Sequence, residues 1–121
     1  MSDFEAFSEI QAALLEIPSV FERLIHIVSL ANSETAGAAV RPVLAMLHSK
    51  VFAEWLRLSL EEKLGDLKTC ARRQRREPHE LVLRWLRPRQ YETLIPAGAL
   101  APERELFRVD LETLLPILVR G

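Results

Sequence analysis

The sequence predicts an all-α fold, a compact bundle of six or seven short-to-medium helices, some crossing obliquely. Three observations carry this expectation. Apolar residues recur every three or four positions through most of the chain, the spacing that puts them on one face of a helix. Strand signals are poor: there is no run of alternating β-branched residues and no Asn-Gly or Asp-Gly hairpin turn. Seven prolines and three Ser-x-x-Glu boxes cut the periodic pattern into segments.

The segments follow in order. Phe4, Phe7, Ile10, Leu14 and Ile17 share a face, Ser2 and Glu5 have capping-box spacing, and Pro18 ends this first helix. Ser19 and Glu22 repeat the box and open a second helix that reaches to about Asn32. Its apolar residues (Phe21, Leu24, Ile25, Ile27, Val28, Leu30) fill more than one stripe, as in a central helix touched on two sides. Residues 32–37 read as a loop. A longer helix starts near residue 41, with Pro42 in its first turn, and steps through Val43, Leu44, Leu47, Val51, Trp55 and Leu58. Ser59 and Glu62 form the third box and mark a bend, after which Leu60, Leu64, Leu67 and Ala71 are expected to face inward. Gly65 lies inside this helix, either to admit a close crossing or as a local weakness. Pro78 fits the first turn of a helix with Leu81, Val82, Trp85 and Leu86 on its apolar side. Tyr91, Leu94 and Ile95 suggest a short turn closed by Pro96. Pro102 opens a last helix that uses Leu106, Phe107, Leu111, Leu114, Leu115 and Leu118. Pro116 is expected to kink or end that helix, and Asp110 to cap a fresh turn just before it.

The chain has 121 residues, 49% apolar and 27% charged, which fits one folded domain and argues against intrinsic disorder. No apolar run approaches the roughly 20 residues of a membrane helix. The start, MSDFEAF, is acidic where a secretory leader is basic, so a cytoplasmic protein is expected. One cysteine, Cys70, makes no internal disulfide and no zinc site alone. Its arginine neighbours would lower a thiol pKa, but a half-buried small residue on a helix is the plainer reading.

The net charge of −1 conceals a polar layout. Residues 1–40 carry six acids against Arg23 alone, whereas residues 61–90 carry nine bases against five acids. The densest part is CARRQRREP, residues 70–78, with four arginines in five positions. On a helix, Lys68, Arg72, Arg75 and Arg76 lie within about 100° of one another. With Arg84, Arg87 and Arg89 after the proline turn they are the candidate phosphate- or nucleic-acid-binding patch, since such affinity comes from neutralised phosphates. The same residues also finish a helix economically: acids Glu61 and Glu62 at its start and arginines at its end both complement the macrodipole. Arg73–Glu77 and Arg76–Glu80 have i,i+4 spacing, useful only if the helix continues past Pro78. No stacking aromatics interleave the run, and no nucleic-acid-binding motif occurs.

Other constellations are thin. Glu22 and His26 are four apart, but no third metal ligand accompanies them. Histidines on helices suggest phosphotransfer, yet LIHIV and MLHSK lack that motif apart from Lys50, and His79-Glu-Leu matches only a fragment of a kinase box. No phosphate loop, nucleophile elbow, zinc-protease or calcium motif is present. No catalytic residue, metal or cofactor is therefore expected. Trp55 and Trp85 fall in phase with core positions, and Tyr91 sits where its hydroxyl could hold a turn.

The segments VFAEWLRLSLEEKLGDL (51–67) and YETLIPAGALAPERELFRVDLETLL (91–115) resemble small uncharacterised helical bacterial proteins. The shared patterns are F-x-E-W-L…L-E-x-K-x-x-D-L and a later Y-x-x-L-I-P. The resemblance implies a bacterial helical domain and no activity. The functional expectation is a non-catalytic adaptor or small regulatory subunit whose partner is another protein or a second copy. Nucleic-acid or phosphate binding through the basic region is the first alternative, and a histidine-centred enzyme or phosphotransfer module the second.

Overall fold

Among the described residues six helices form, in the order α1 Asp3–Leu15, α2 Val20–Ala31, α3 Arg41–Arg57, α4 Leu60–Gln74, α5 Pro78–Leu86 and α6 Ala101–Arg120. The structure, a computed structural model, describes residues 3–33, 37, 40–86 and 101–120, with the side chains of the last helix described from residue 105. No strand occurs among the described residues. The Ser2 cap, the turn around Tyr91 and the Y-x-x-L-I-P pattern lie outside them.

α2 is the central element, packed mainly on α3 and also on α4; α5 packs on α6, α6 also meets α3 and α4, and α1 rests on α3. Phe21 of α2 lies at the middle, with ring centroids 5.6 Å from Trp55, 5.3 Å from Trp85 and 5.8 Å from Phe107. Phe52 meets Phe107 edge-on at 5.0 Å. These rings join α2, α3, α5 and α6, and stacked, tilted and edge-on pairs of this kind add about 1 kcal/mol each beyond the area they bury.

Polar links also join the helices around that core. Asp66 of α4 caps the start of α2: its carboxylate accepts from the backbone N–H groups of Val20 and Phe21, each at 2.8 Å, and from the Ser19 hydroxyl at 2.9 Å. Ser19 Oγ in turn accepts from the Glu22 N–H, so the first three N–H groups of α2 all have acceptors. Asp110 of α6 accepts from Trp55 Nε1 and Lys63 Nζ, both at 3.0 Å, joining α3, α4 and α6. Arg23 donates to the Ile17 carbonyl at 2.8 Å and pairs with Glu54 at 3.1 Å, tying the α1–α2 turn to α3.

Several expected faces shift. Leu60 is 50% exposed, and the inward positions of α4 are Lys63, Leu67, Cys70 and Ala71. Lys63 takes an inward place because its ammonium reaches Asp110 and lies 5.7 Å from the Trp55 ring centre. Phe4 and Leu106 are exposed rather than in the core. Asp110 caps no new turn, its carboxylate being engaged by Trp55 and Lys63. Nor does α6 end at Pro116. Pro116 and Glu112, whose carbonyl loses its N–H partner there, are both exposed, so water can satisfy that carbonyl while buried Leu114 and Leu118 hold the helix down on either side.

Two residues of α4 oppose the helix they occupy. Gly65 is exposed, and a Cβ there would meet nothing within 4 Å, so it serves no close crossing. Arg75 closes the helix with a left-handed φ of 55°, letting the Arg76 N–H reach the Ala71 carbonyl at 3.0 Å and its own N–H reach that of Arg72 at 3.2 Å. Glycine is the residue that adopts this conformation without strain. Gly65→Ala and Arg75→Gly are each expected to raise stability by about 1 kcal/mol. Ten residues apart with no shared partner, they should add, which the midpoint of urea unfolding will read.

Candidate functional site

The left-handed turn at Arg75 decides what becomes of the arginine run. Because α4 stops at Gln74 and α5 begins at Pro78, the run divides among three environments, and neither Arg73–Glu77 nor Arg76–Glu80 shares one continuous helix. Arg73 pairs with Glu22 of α2, whose carboxylate also accepts from Gln74 at 3.3 Å. That pair is a structural link across the α2–α4 interface. Arg75 forms the turn and is exposed.

Arg72 and Arg76 point elsewhere. With Lys68, one turn earlier, they border a groove of about 500 Å³ where α4, the start of α5 and the end of α6 converge. Leu64, Ala71, Ile117 and Leu118 give it an apolar floor, and Glu77, Pro78 and His79 complete its wall. Lys68, Arg72 and Arg76 are exposed and form no ion pair with any described residue, in contrast to Arg23, Lys63, Arg73 and Arg108. The groove thus offers one acid, and three cations without an ion-pair partner among the described residues, above aliphatic carbon that is buried at Ala71 and Leu118, half-buried at Leu64 and exposed at Ile117.

Arg84 is not part of this groove. It borders a second hollow of about 580 Å³, with Ile25, Ser29, Leu81 and Trp85, which meets the first through Arg76. Arg87 and Arg89 lie outside the described residues. Of the seven bases the sequence groups together, the structure brings three into one groove and a fourth to its neighbour. The floor residue Ile117 was missed by sequence reading. Its one signal is that it is apolar yet off the stripe that α6 buries.

The other candidates resolve into packing. Cys70 is fully buried rather than half-buried, and its thiol is pushed up to about 12, first by burial and then by the negative charge of Glu22. The neighbouring Arg73 pulls the other way and is outweighed, so the thiol stays protonated and shielded. Glu22 faces Arg73 and Gln74 rather than joining His26 in a ligand set. His48 is buried, its ring edge-on to Phe52 at 4.4 Å, and neither ring nitrogen has a hydrogen-bond partner among the described residues. Burial holds its pKa near 4, down from 6.5, so the ring stays neutral inside the core. Trp55 and Trp85 are core residues, as their helical phase indicates. No helix among the described residues is long and apolar enough to cross a membrane.

No protein-family model, curated protein or solved structure matches the chain.

Proposed function

We propose that the chain is a non-catalytic protein-docking module, an adaptor or small regulatory subunit working in the cytoplasm, and that the α4–α5–α6 groove is its docking face. One observation carries the reading: Lys68, Arg72 and Arg76, with no ion-pair partner among the described residues, stand above the floor made by Leu64, Ala71, Ile117 and Leu118. Cations beside aliphatic carbon suit a protein segment that is acidic on one side and apolar on the other. A nucleic-acid backbone would use the cations and gain nothing from the floor, and among the described residues no Phe, Tyr or Trp lines the groove to stack on bases.

Fluorescence anisotropy separates the two readings. The probes are a labelled synthetic acidic amphipathic peptide and labelled generic single-stranded DNA and RNA, each at low and near-physiological salt. The peptide is expected to bind at both salts, and Arg72→Glu/Arg76→Glu to weaken it by about tenfold or more, because two favourable charges become repulsive. Nucleic acid bound more tightly than the peptide, with steep salt dependence lost in that variant, would make phosphate binding the function instead.

A further inference from the structure

The chain itself carries an element with the chemistry the groove selects. No lysine or arginine occurs in residues 1–22, so α1 bears acids only. Its inner side buries Ala6 and Leu14, with Phe7 and Ile10 half-buried, where it rests on α3. On its outer side Phe4 is 78% exposed and Leu15 69%, the two most exposed large apolar side chains among the described residues. At 100° per residue, Phe4 and Leu15 fall on one edge of the helix, about 20° apart, while Glu5 and Glu9 fall about 80–140° further round, past Ser8 and Ala12. The outer face of α1 thus carries an apolar edge and, about a quarter turn or more away, an acidic one. Phe4 and Leu15 are separated by about 16 Å along the axis, and the α4 residues that line the groove run about 12 Å from Leu64 to Arg72, with Arg76 extending it beyond the helix end. α1 does not fill the groove of its own chain: it rests on α3, and no residue of α1 lines the groove.

We propose that the groove of one copy receives the outer face of α1 from a second copy. Phe4 and Leu15 lie on the Leu64–Ile117–Leu118 floor, and Glu5 and Glu9 face Lys68, Arg72 and Arg76. The inference rests on the docking reading and names its occupant. The contact joins two different surfaces, so it closes into a dimer where a two-fold axis lets each copy give and receive, and otherwise extends to larger assemblies.

The test is the solution mass of the full chain, by sedimentation or light scattering, over a wide concentration range at low and near-physiological salt. Mass is expected to rise with concentration and to fall with salt. Two charge-reversed variants make the contact specific: Arg72→Glu/Arg76→Glu, and Glu5→Lys/Glu9→Lys. All four positions are on the surface, and circular dichroism confirms that each variant folds. Each alone is expected to associate about tenfold or more weakly than the parent. An equimolar mixture of the two should associate again, because the acidic α1 of one then meets the basic groove of the other. A chain that stays monomeric at every concentration in low salt overturns the inference. If that monomer still binds the acidic synthetic peptide, the docking reading stands with another protein as occupant. Association unchanged by either variant overturns it too, by placing the contact elsewhere.

Discussion

Asp66→Ala is expected to lower the unfolding free energy by about 3 kcal/mol, the largest loss from any single polar group of the chain considered above. The carboxylate accepts three hydrogen bonds, two of them from backbone N–H groups at the start of α2. Hydrogen bonds to a charged acceptor contribute about 1.5–3 kcal/mol each, and three on one group are not additive. Alanine leaves the Phe21 N–H without its acceptor in a residue that is fully buried, where desolvation is not recovered. The damage also reaches the core, because Phe21 sits between Trp55, Trp85 and Phe107. Asp66→Asn should lose about half as much, since the amide retains one oxygen to accept and replaces the other with a donor facing donors. Ser19→Ala removes the Glu22 cap and should lose about 1 kcal/mol. Because Ser19 and Asp66 share a hydrogen bond, the double variant should lose less than the sum. Urea unfolding at constant m-value measures all four. A loss below about 1 kcal/mol for Asp66→Ala would mean that water replaces the cap at little cost and that packing alone orders α2.

That cap also marks the boundary of what the sequence makes legible. Helix starts are local events, so Ser19, Ser59, Pro42 and Pro78 announce theirs, and the structure puts α2, α3, α4 and α5 where these signals fall. The second helix reads as central because its apolar residues exceed one stripe, and it does pack on two sides. The inward side of an end turn is not local. Leu60 and Lys63 are interchangeable by periodicity, and it is Asp110, some fifty residues later, with the Trp55 ring, that draws Lys63 inward. Asp66 is equally silent, since its partners lie more than forty residues upstream. Within F-x-E-W-L…L-E-x-K-x-x-D-L, however, Glu54 pairs with Arg23, Trp55 and Lys63 meet on Asp110, and Asp66 caps α2. Glu54, Lys63 and Asp66 of that pattern therefore hold helices together. For the groove, helical phase brings Lys68 and Arg72 to one side and the left-handed turn at Arg75 sets Arg76 beside them, while Arg73 leaves the run because Glu22 is across the interface. The apolar floor needs α6 folded back over α4, which no spacing within α4 reveals.

His48 should make the bundle sensitive to mild acid. Burial lowers its pKa from 6.5 to about 4, so between those values the unfolded chain binds a proton that the folded chain refuses. Stability is then complete above about pH 6.5, declines as pH falls through the window, and has lost about 3 kcal/mol from this group near pH 4, at 1.36 kcal/mol per unit. Carboxylates also titrate toward the lower end, so the wild-type curve alone does not isolate the histidine. His48→Leu does. Leucine fits an apolar site and removes two ring nitrogens that have no partner among the described residues, a gain of about 1 kcal/mol. Losing the edge contact with Phe52 offsets a similar amount, so the two proteins should be nearly equal in stability at neutral pH. As pH falls from 6.5 to 4 their denaturation midpoints should separate, the variant becoming the more stable by about 3 kcal/mol. Parallel curves across that range would show that the ring takes up its proton without leaving the fold, which requires a water or a carbonyl to reach a nitrogen that the described residues leave unbonded. Diverging curves would establish that the histidine nearest in sequence to the phosphotransfer pattern is instead a sealed neutral ring, held at a stability cost that appears only in acid.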